Sequence, residues 1–302
     1  MRFSNQEMKI IKAMSMAVAA GAACAAEETV RLETPQAECE VALVGARVMS
    51  FKVRGEELLF APRVWRHGGG SFSSGGIPIC WPWFGKSGPE GAKGHGFAHS
   101  LVFKVLSRTK SEVVLSAGSS EETRRAWPFD FDLEYAIALD GDVLVLRLET
   151  INRSKESFLL TSGFHPYFAV GERDKTVVKG VDGRFFCDAR LSTSFDSKWQ
   201  GDMPVTSAFD HVFASPDGEY SLVDGSLGHT IRISAKGNKR LVVWNPGDAR
   251  PADDPPAPGA LAPGDWRRFV CVEPATLWRD QAFSLAPGEK NTLSARIWAV
   301  KP

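Results

Sequence analysis

Apolar and polar residues alternate along most of this chain with a period of two. From Asp132 the segment DLEYAIALDGDVLVLRLET sets Leu133, Tyr135, Ile137 and Leu139 on one face. Such alternation is the mark of an extended strand, whose successive side chains point to opposite sides. An Asp140-Gly141 turn then leads into a second alternating run over 143–150, and the two runs predict a β-hairpin. Shorter runs of the same kind occur at 41–44, 48–53, 113–116, 231–234, 241–244, 269–273 and 294–300, separated by Gly, Pro, Asn and Asp. Helical periodicity is nearly absent, and its best stretch, 119–127, amounts to barely two turns. The pattern therefore predicts an all-β protein, with residues 27–302 forming one large antiparallel β-sandwich.

Two segments interrupt this rhythm. Residues 66–76 are rich in Gly and Ser and lead into the aromatic run GGIPICWPWFG, and residues 248–264 (DARPADDPPAPGALAPG) form a Pro-rich loop. At the other end of the chain, Lys9 and Lys12 precede an apolar run over 13–22 and a small-residue site, Ala23-Cys24-Ala25. That order predicts a secretory signal over residues 1–26, and with it a periplasmic or secreted protein if the segment is cleaved, a cytoplasmic one otherwise.

Composition narrows the picture. Lys and Arg total 36 against 36 Asp and Glu, so no whole-molecule field attracts a polyanion, and nucleic acid is not expected as a partner. No apolar stretch approaches the roughly 20 residues of a membrane span. Beyond Cys24, the cysteines (Cys39, Cys80, Cys187 and Cys271) are far apart and contain no C-x-x-C pair, so they read as buried apolar filler and not as a zinc site or a disulfide scaffold. With no apolar seam in the pattern, a monomer is expected.

The candidate chemistry is spread along the chain. His165 lies in SGFHPYF, where Pro166 disfavours helix and Phe164, Tyr167 and Phe168 give an apolar setting. It is either a core histidine satisfied by a carbonyl or a proton donor and acceptor near neutral pH. Glu273 shares a strand face with Phe269 and Cys271 in FVCVEPA, which would desolvate its carboxylate and raise its pKa, unless it is a solvated strand end. His95, between Gly94 and Gly96, is a loop histidine that glycine lets approach a ligand closely. Asp210 in FDHVF is either a hydrogen-bonding partner of a polar ligand or plain surface charge. Trp81, Trp83 and Phe84 suit stacking on a sugar ring and core packing equally.

Taken together and in order, GGIPICWPWFG, GHGFAH, AWPFDFDLEYA, SGFHPYF, FDHVF, VVWNPG and FVCVEPA resemble the aldose 1-epimerase superfamily, and within it the glucose-6-phosphate 1-epimerase branch. The resemblance covers about residues 30 to 300. It implies a galactose-mutarotase type sandwich that interconverts α and β anomers of a sugar with no cofactor or metal. Glu273 would be the general base on the anomeric hydroxyl, and His165 the acid that protonates the ring oxygen. His95 would assist at that oxygen and Asp210 would hold hydroxyls, with Trp83 beside the sugar. The branch carries Arg immediately before G-G-I-P and at the end of H-G-x-A-R, where this chain has Ser74 and His99; Gly94 replaces a Gln. Arginine matches a phosphate bidentately, so these departures point to an unphosphorylated or modified sugar, or to charge restored by Arg63 and Arg66. A carbohydrate-binding sandwich without activity is the alternative, which the retained His165 and Glu273 disfavour.

Overall fold

The computed structural model describes residues 29–65, 72–215, 217–249 and 259–300. The expected leader over 1–26, Arg66 and most of the Pro-rich loop fall outside them. The described chain is almost entirely antiparallel strand. The alternating segment becomes the strands Phe131–Asp140 and Val143–Asn152, whose pairing runs from Phe131↔Asn152 to Asp140↔Val143. The hairpin loop is thus Gly141-Asp142, one residue beyond the expected Asp140-Gly141. Asp140 stays in the ladder, and Gly141 takes the positive φ (66°) that a two-residue turn demands. The helical stretch shortens to Glu121–Ala126, capped by Ser120, whose hydroxyl accepts from the Thr123 amide while Thr123 accepts from the Ser120 amide.

Two large sheets build the molecule. The nine-stranded sheet runs Met203–Pro204, Thr176–Lys179, Gly218–Asp224, His229–Lys236, Lys290–Val300, Val143–Asn152, Phe131–Asp140, Glu112–Gly118, Lys104–Arg108. The eight-stranded sheet orders Ser197–Lys198, Phe185–Asp188, Phe209–Phe213, Arg240–Asn245, Phe269–Ala275, Gly163–Phe164 and Ile79–Cys80, with Tyr167–Ala169 also pairing to Phe269–Ala275. Leu133, Tyr135, Leu146, Ile231 and Ile297 from the first sheet share one buried cluster with Phe164, Leu241, Val243, Val270 and Val272 from the second. Tyr135 and Phe164 stack across the interface with ring centroids 5.8 Å apart. The core therefore lies between the sheets, as in a face-to-face sandwich. A four-stranded meander over residues 29–57 adds a further small sheet.

Burial does not alternate at an exposed edge or in a strand covered on both faces. Lys104–Arg108 is an edge strand exposed along its whole length, so nothing selects for a two-residue period there. The strand Phe269–Ala275 is buried at all seven positions. Val270 and Val272 point into the core between the sheets, while Phe269 and Cys271 pack on the opposite side with Phe60 and Tyr167. Glu273 continues that second face. The four cysteines of the described chain are buried and free, in keeping with a role as apolar filler.

Candidate active site

The central strand of the eight-stranded sheet sets the geometry. Two short strands pair with it in sequence, Gly163 opposite Ala275 and Tyr167 opposite Cys271. Those pairings bracket His165 and place it across from Glu273. Cross-strand partners share a sheet face, and the His165 Nε2 lies 3.4 Å from the Glu273 Oε2. Pro166 breaks the two-strand run at this point, so the imidazole is presented from extended backbone between two ladders. The His165 ring stacks on Tyr167 at 4.8 Å and meets Trp244 edge to face at 5.8 Å.

Both members of the pair are buried, Glu273 to 1% exposure. They nevertheless form the floor of a cavity of about 940 Å³, within the range of small-molecule sites. Burial drives the Glu273 pKa well above that of an ordinary carboxylate, and the negative charge of Asp210 pushes it in the same direction. Asp210 reaches this neighbourhood through the adjoining strands, being paired with Trp244, which is itself paired with Cys271. Its own pKa is raised to about 6, by burial first and then by Asp188, with Arg190 opposing.

His95 reaches the same cavity from a separate loop. Its backbone adopts φ 66°, a conformation uncommon for any residue but glycine, and Gly96 follows at φ 68°. A Cβ on Gly96 would lie 2.0 Å from the Trp81 carbonyl oxygen, so only glycine permits this approach. The Gly85 amide reaches the His95 Nδ1 at 3.4 Å. A backbone amide can only donate, so Nδ1 accepts and the ring proton sits on Nε2, leaving that nitrogen as a donor. The His95 and His165 rings are 5.4 Å apart, edge to face, with Phe72 against both.

The structure thus brings together His165, Glu273, His95, Asp210, Ser74 and Gly94 around one cavity. Two expected contacts are not among its lining. Trp83 packs edge to face on Phe97 and donates its indole N–H to the Lys93 carbonyl, which turns it into the protein wall. His99 is buried beside Arg47, and its pKa falls to about 4 through burial, Arg47 and Lys93, so it is neutral near pH 7 and offers a phosphate no charge. Sequence reasoning missed Phe72, Lys86, Lys93 and Trp278, which also line the cavity. Trp278, at φ 64°, has its amide held by the Ser87 hydroxyl, a loop geometry with no periodic signature. As for metals, His165, Cys271 and Glu273 bring one donor atom each within 4.8 Å of one another, but burial favours the protonated Cys271 thiol and Glu273 carboxyl, forms that do not ligate a metal.

An imidazole and a desolvated carboxylate converging from facing strands can pass protons in both directions, and this places the protein among acid–base enzymes built on an antiparallel sandwich. The sequence comparisons then specify the family. Residues 28–298 match the sequence model of the aldose 1-epimerase family, and the chain belongs to that family. A protein of Escherichia coli K12, named as a candidate glucose-6-phosphate 1-epimerase, is 31% identical over 252 residues, covering 81% of each chain. A Salmonella typhimurium protein of the same name is 30% identical over 254 residues, covering 80% of this chain and 81% of its own. The crystal structure of a candidate mutarotase from Salmonella typhimurium superposes with a TM-score of 0.78 at 28% identity, covering 91% and 90% of the two chains. The Slr1438 protein of Synechocystis shares the fold at a TM-score of 0.73. The chain is accordingly an isomerase of the mutarotase type.

Proposed function

We propose that this mutarotase interconverts the α and β anomers of an aldohexose 6-phosphate. The observation that carries the reading is the buried His165–Glu273 pair on the cavity floor. Opening a pyranose ring requires a proton to leave the anomeric hydroxyl and another to reach the ring oxygen. Both oxygens are bonded to the same carbon, so acid and base must converge on one point, as these two side chains do from opposed register positions.

In the forward direction Glu273 takes the proton from the anomeric hydroxyl. His165 delivers one to the ring oxygen as the C1–O5 bond breaks, giving the open-chain aldehyde. Rotation about C1–C2 exposes the other face of the carbonyl. Closure runs the same transfers in reverse and yields the opposite anomer. A base whose pKa is lifted toward the working pH by desolvation suits a reaction that must run both ways. His95, donating through Nε2, stabilises charge at the ring oxygen, and Asp210 holds hydroxyls on the far side.

A phosphorylated hexose is supported by the names of the two relatives and by the lysines, Lys86 and Lys93, on the cavity wall. The working unit proposed is a monomer, and no described helix is long and apolar enough to cross a membrane. NMR exchange measurements of anomer interconversion with glucose 6-phosphate, glucose and galactose test the proposal. Acceleration that is greatest for glucose 6-phosphate and is lost in Glu273→Gln is the expected result. Equal or greater acceleration of the free sugars would refute the phosphate, and undiminished activity of Glu273→Gln would refute the base.

A further inference from the structure

One buried charge in this molecule takes no part in the proton transfers. Arg47 immediately precedes the strand Val48–Val53 and is 6% exposed. Buried arginines are ordinarily matched by a carboxylate, because an unmatched charge in the interior costs several kcal/mol. Arg47 has none among the described residues. The one acceptor its side chain reaches there is the Ser74 carbonyl oxygen, 3.5 Å from Nη1, at the long limit of a hydrogen bond. Its guanidinium stands 5.7 Å from the Trp65 ring centroid. Desolvation lowers its pKa to about 10, so it remains charged at neutral pH.

The fold sets this charge behind a residue of the cavity wall. The Ile77 amide donates to the Val48 carbonyl at 2.7 Å, and a Cβ on Gly76 would lie 2.2 Å from the same oxygen. This close approach seats Ser74, which lines the cavity, directly against Arg47. Just upstream, a Cβ on Gly45 would lie 2.9 Å from the His99 carbonyl oxygen, which holds the 45–47 segment on the His95–His99 loop. Lys86 and Lys93 line the same cavity, whereas the acidic groups Asp210 and Glu273 lie on the central strands.

We infer that Arg47, lying behind the Ser74 wall, is the specificity-determining cation that selects a phosphorylated sugar over a neutral one, with Lys86 and Lys93 completing the seat for the phosphate dianion. A dianion there supplies the counter-charge that the described residues leave out. This inference rests on the hexose-phosphate reading above and names the residue that would enforce it. Arg47 acts as a positioning charge; the reacting atoms are handled elsewhere.

The test is kcat/KM for glucose 6-phosphate and for glucose in the wild type, Arg47→Gln and Arg47→Lys. The ratio of the two constants is expected to fall about tenfold or more in Arg47→Gln, through KM for the phosphorylated sugar. Arg47→Lys keeps the charge and loses the planar fork, and is expected to fall between the other two. A wild type that prefers glucose 6-phosphate, with an unchanged ratio in both variants, overturns the inference alone. A wild type with no preference for the phosphate overturns the substrate reading and this inference with it. Should Arg47→Gln not fold, Arg47→Lys decides: its KM for glucose 6-phosphate rises about threefold or more with kcat held, and an unchanged KM overturns the proposal.

Discussion

Glu273 is held in a state that an exposed carboxylate does not reach. Burial and Asp210 both favour its protonated form, so its ordinary value of 4.5 moves well upward. Well below 4.5, folded and unfolded chains both hold the proton, and the group contributes nothing to the pH dependence of stability. Above 4.5 the unfolded chain releases the proton while the native one retains it, so stability falls as pH rises toward the native pKa. Glu273→Gln should therefore lose about 10²- to 10⁴-fold in kcat/KM and gain stability over the wild type as pH rises. The gain is at most about 1.4 kcal/mol per pH unit, read from thermal melts at pH 5 and pH 8; a gain that shrinks with pH would contradict the assignment. Asp210 gives the complementary prediction. Removing its charge in Asp210→Asn lowers the Glu273 pKa, so the acidic limb of the kcat/KM profile moves to lower pH while KM for the sugar rises. An unmoved limb would mean that desolvation alone sets the base. At this scale the sequence was legible where chemistry is rare in its setting, as with a histidine among aromatics and a glutamate ending an apolar strand. It was illegible for Arg47, Lys86 and Lys93, because cations are common everywhere and only their placement distinguishes these three.

Among the elements, short pieces do the positioning. Gly163–Phe164 and Tyr167–Ala169 are too brief to show a period, yet their register against Phe269–Ala275 brings His165 to Glu273. The His95 loop depends on Gly96, whose φ of 68° and contact with the Trp81 carbonyl admit no side chain. Gly96→Ala should destabilise the fold by about 1–3 kcal/mol, measured by denaturant titration, and should lower activity further by displacing His95. An alanine variant with wild-type stability and rate would show that the loop relaxes freely. The aromatic run WPWF illustrates the limit of composition. Trp81 is wholly buried and donates to the Thr150 hydroxyl, and Trp83 faces protein, so of this run only the Phe84 ring lines the cavity, beside Phe72, Tyr167, Trp244 and Trp278 from elsewhere in the chain.

For the whole molecule, the two sheets act as a rigid platform whose stability and chemistry separate. Leu146 is fully buried between the sheets, on the one that carries none of the catalytic candidates. Leu146→Ala should cost about 2–5 kcal/mol of unfolding free energy while leaving the acidic limb of the pH profile in place. A shifted limb would show that the core couples to the Glu273 environment. What the sequence determined by itself was the all-β class, the long hairpin and the candidacy of His165, Glu273, His95 and Asp210. Each rests on local information: alternation sorts residues onto faces, and turn residues carry their own backbone preference. Only the tertiary structure decided which of these residues meet, since register between strands a hundred residues apart is set by pairing and by the core they share. It likewise decided that Trp83 and His99 face protein, and that an arginine just before an early strand stands behind the cavity wall. Desolvation and charge proximity are properties of the packed molecule, and they turn an ordinary glutamate into a base.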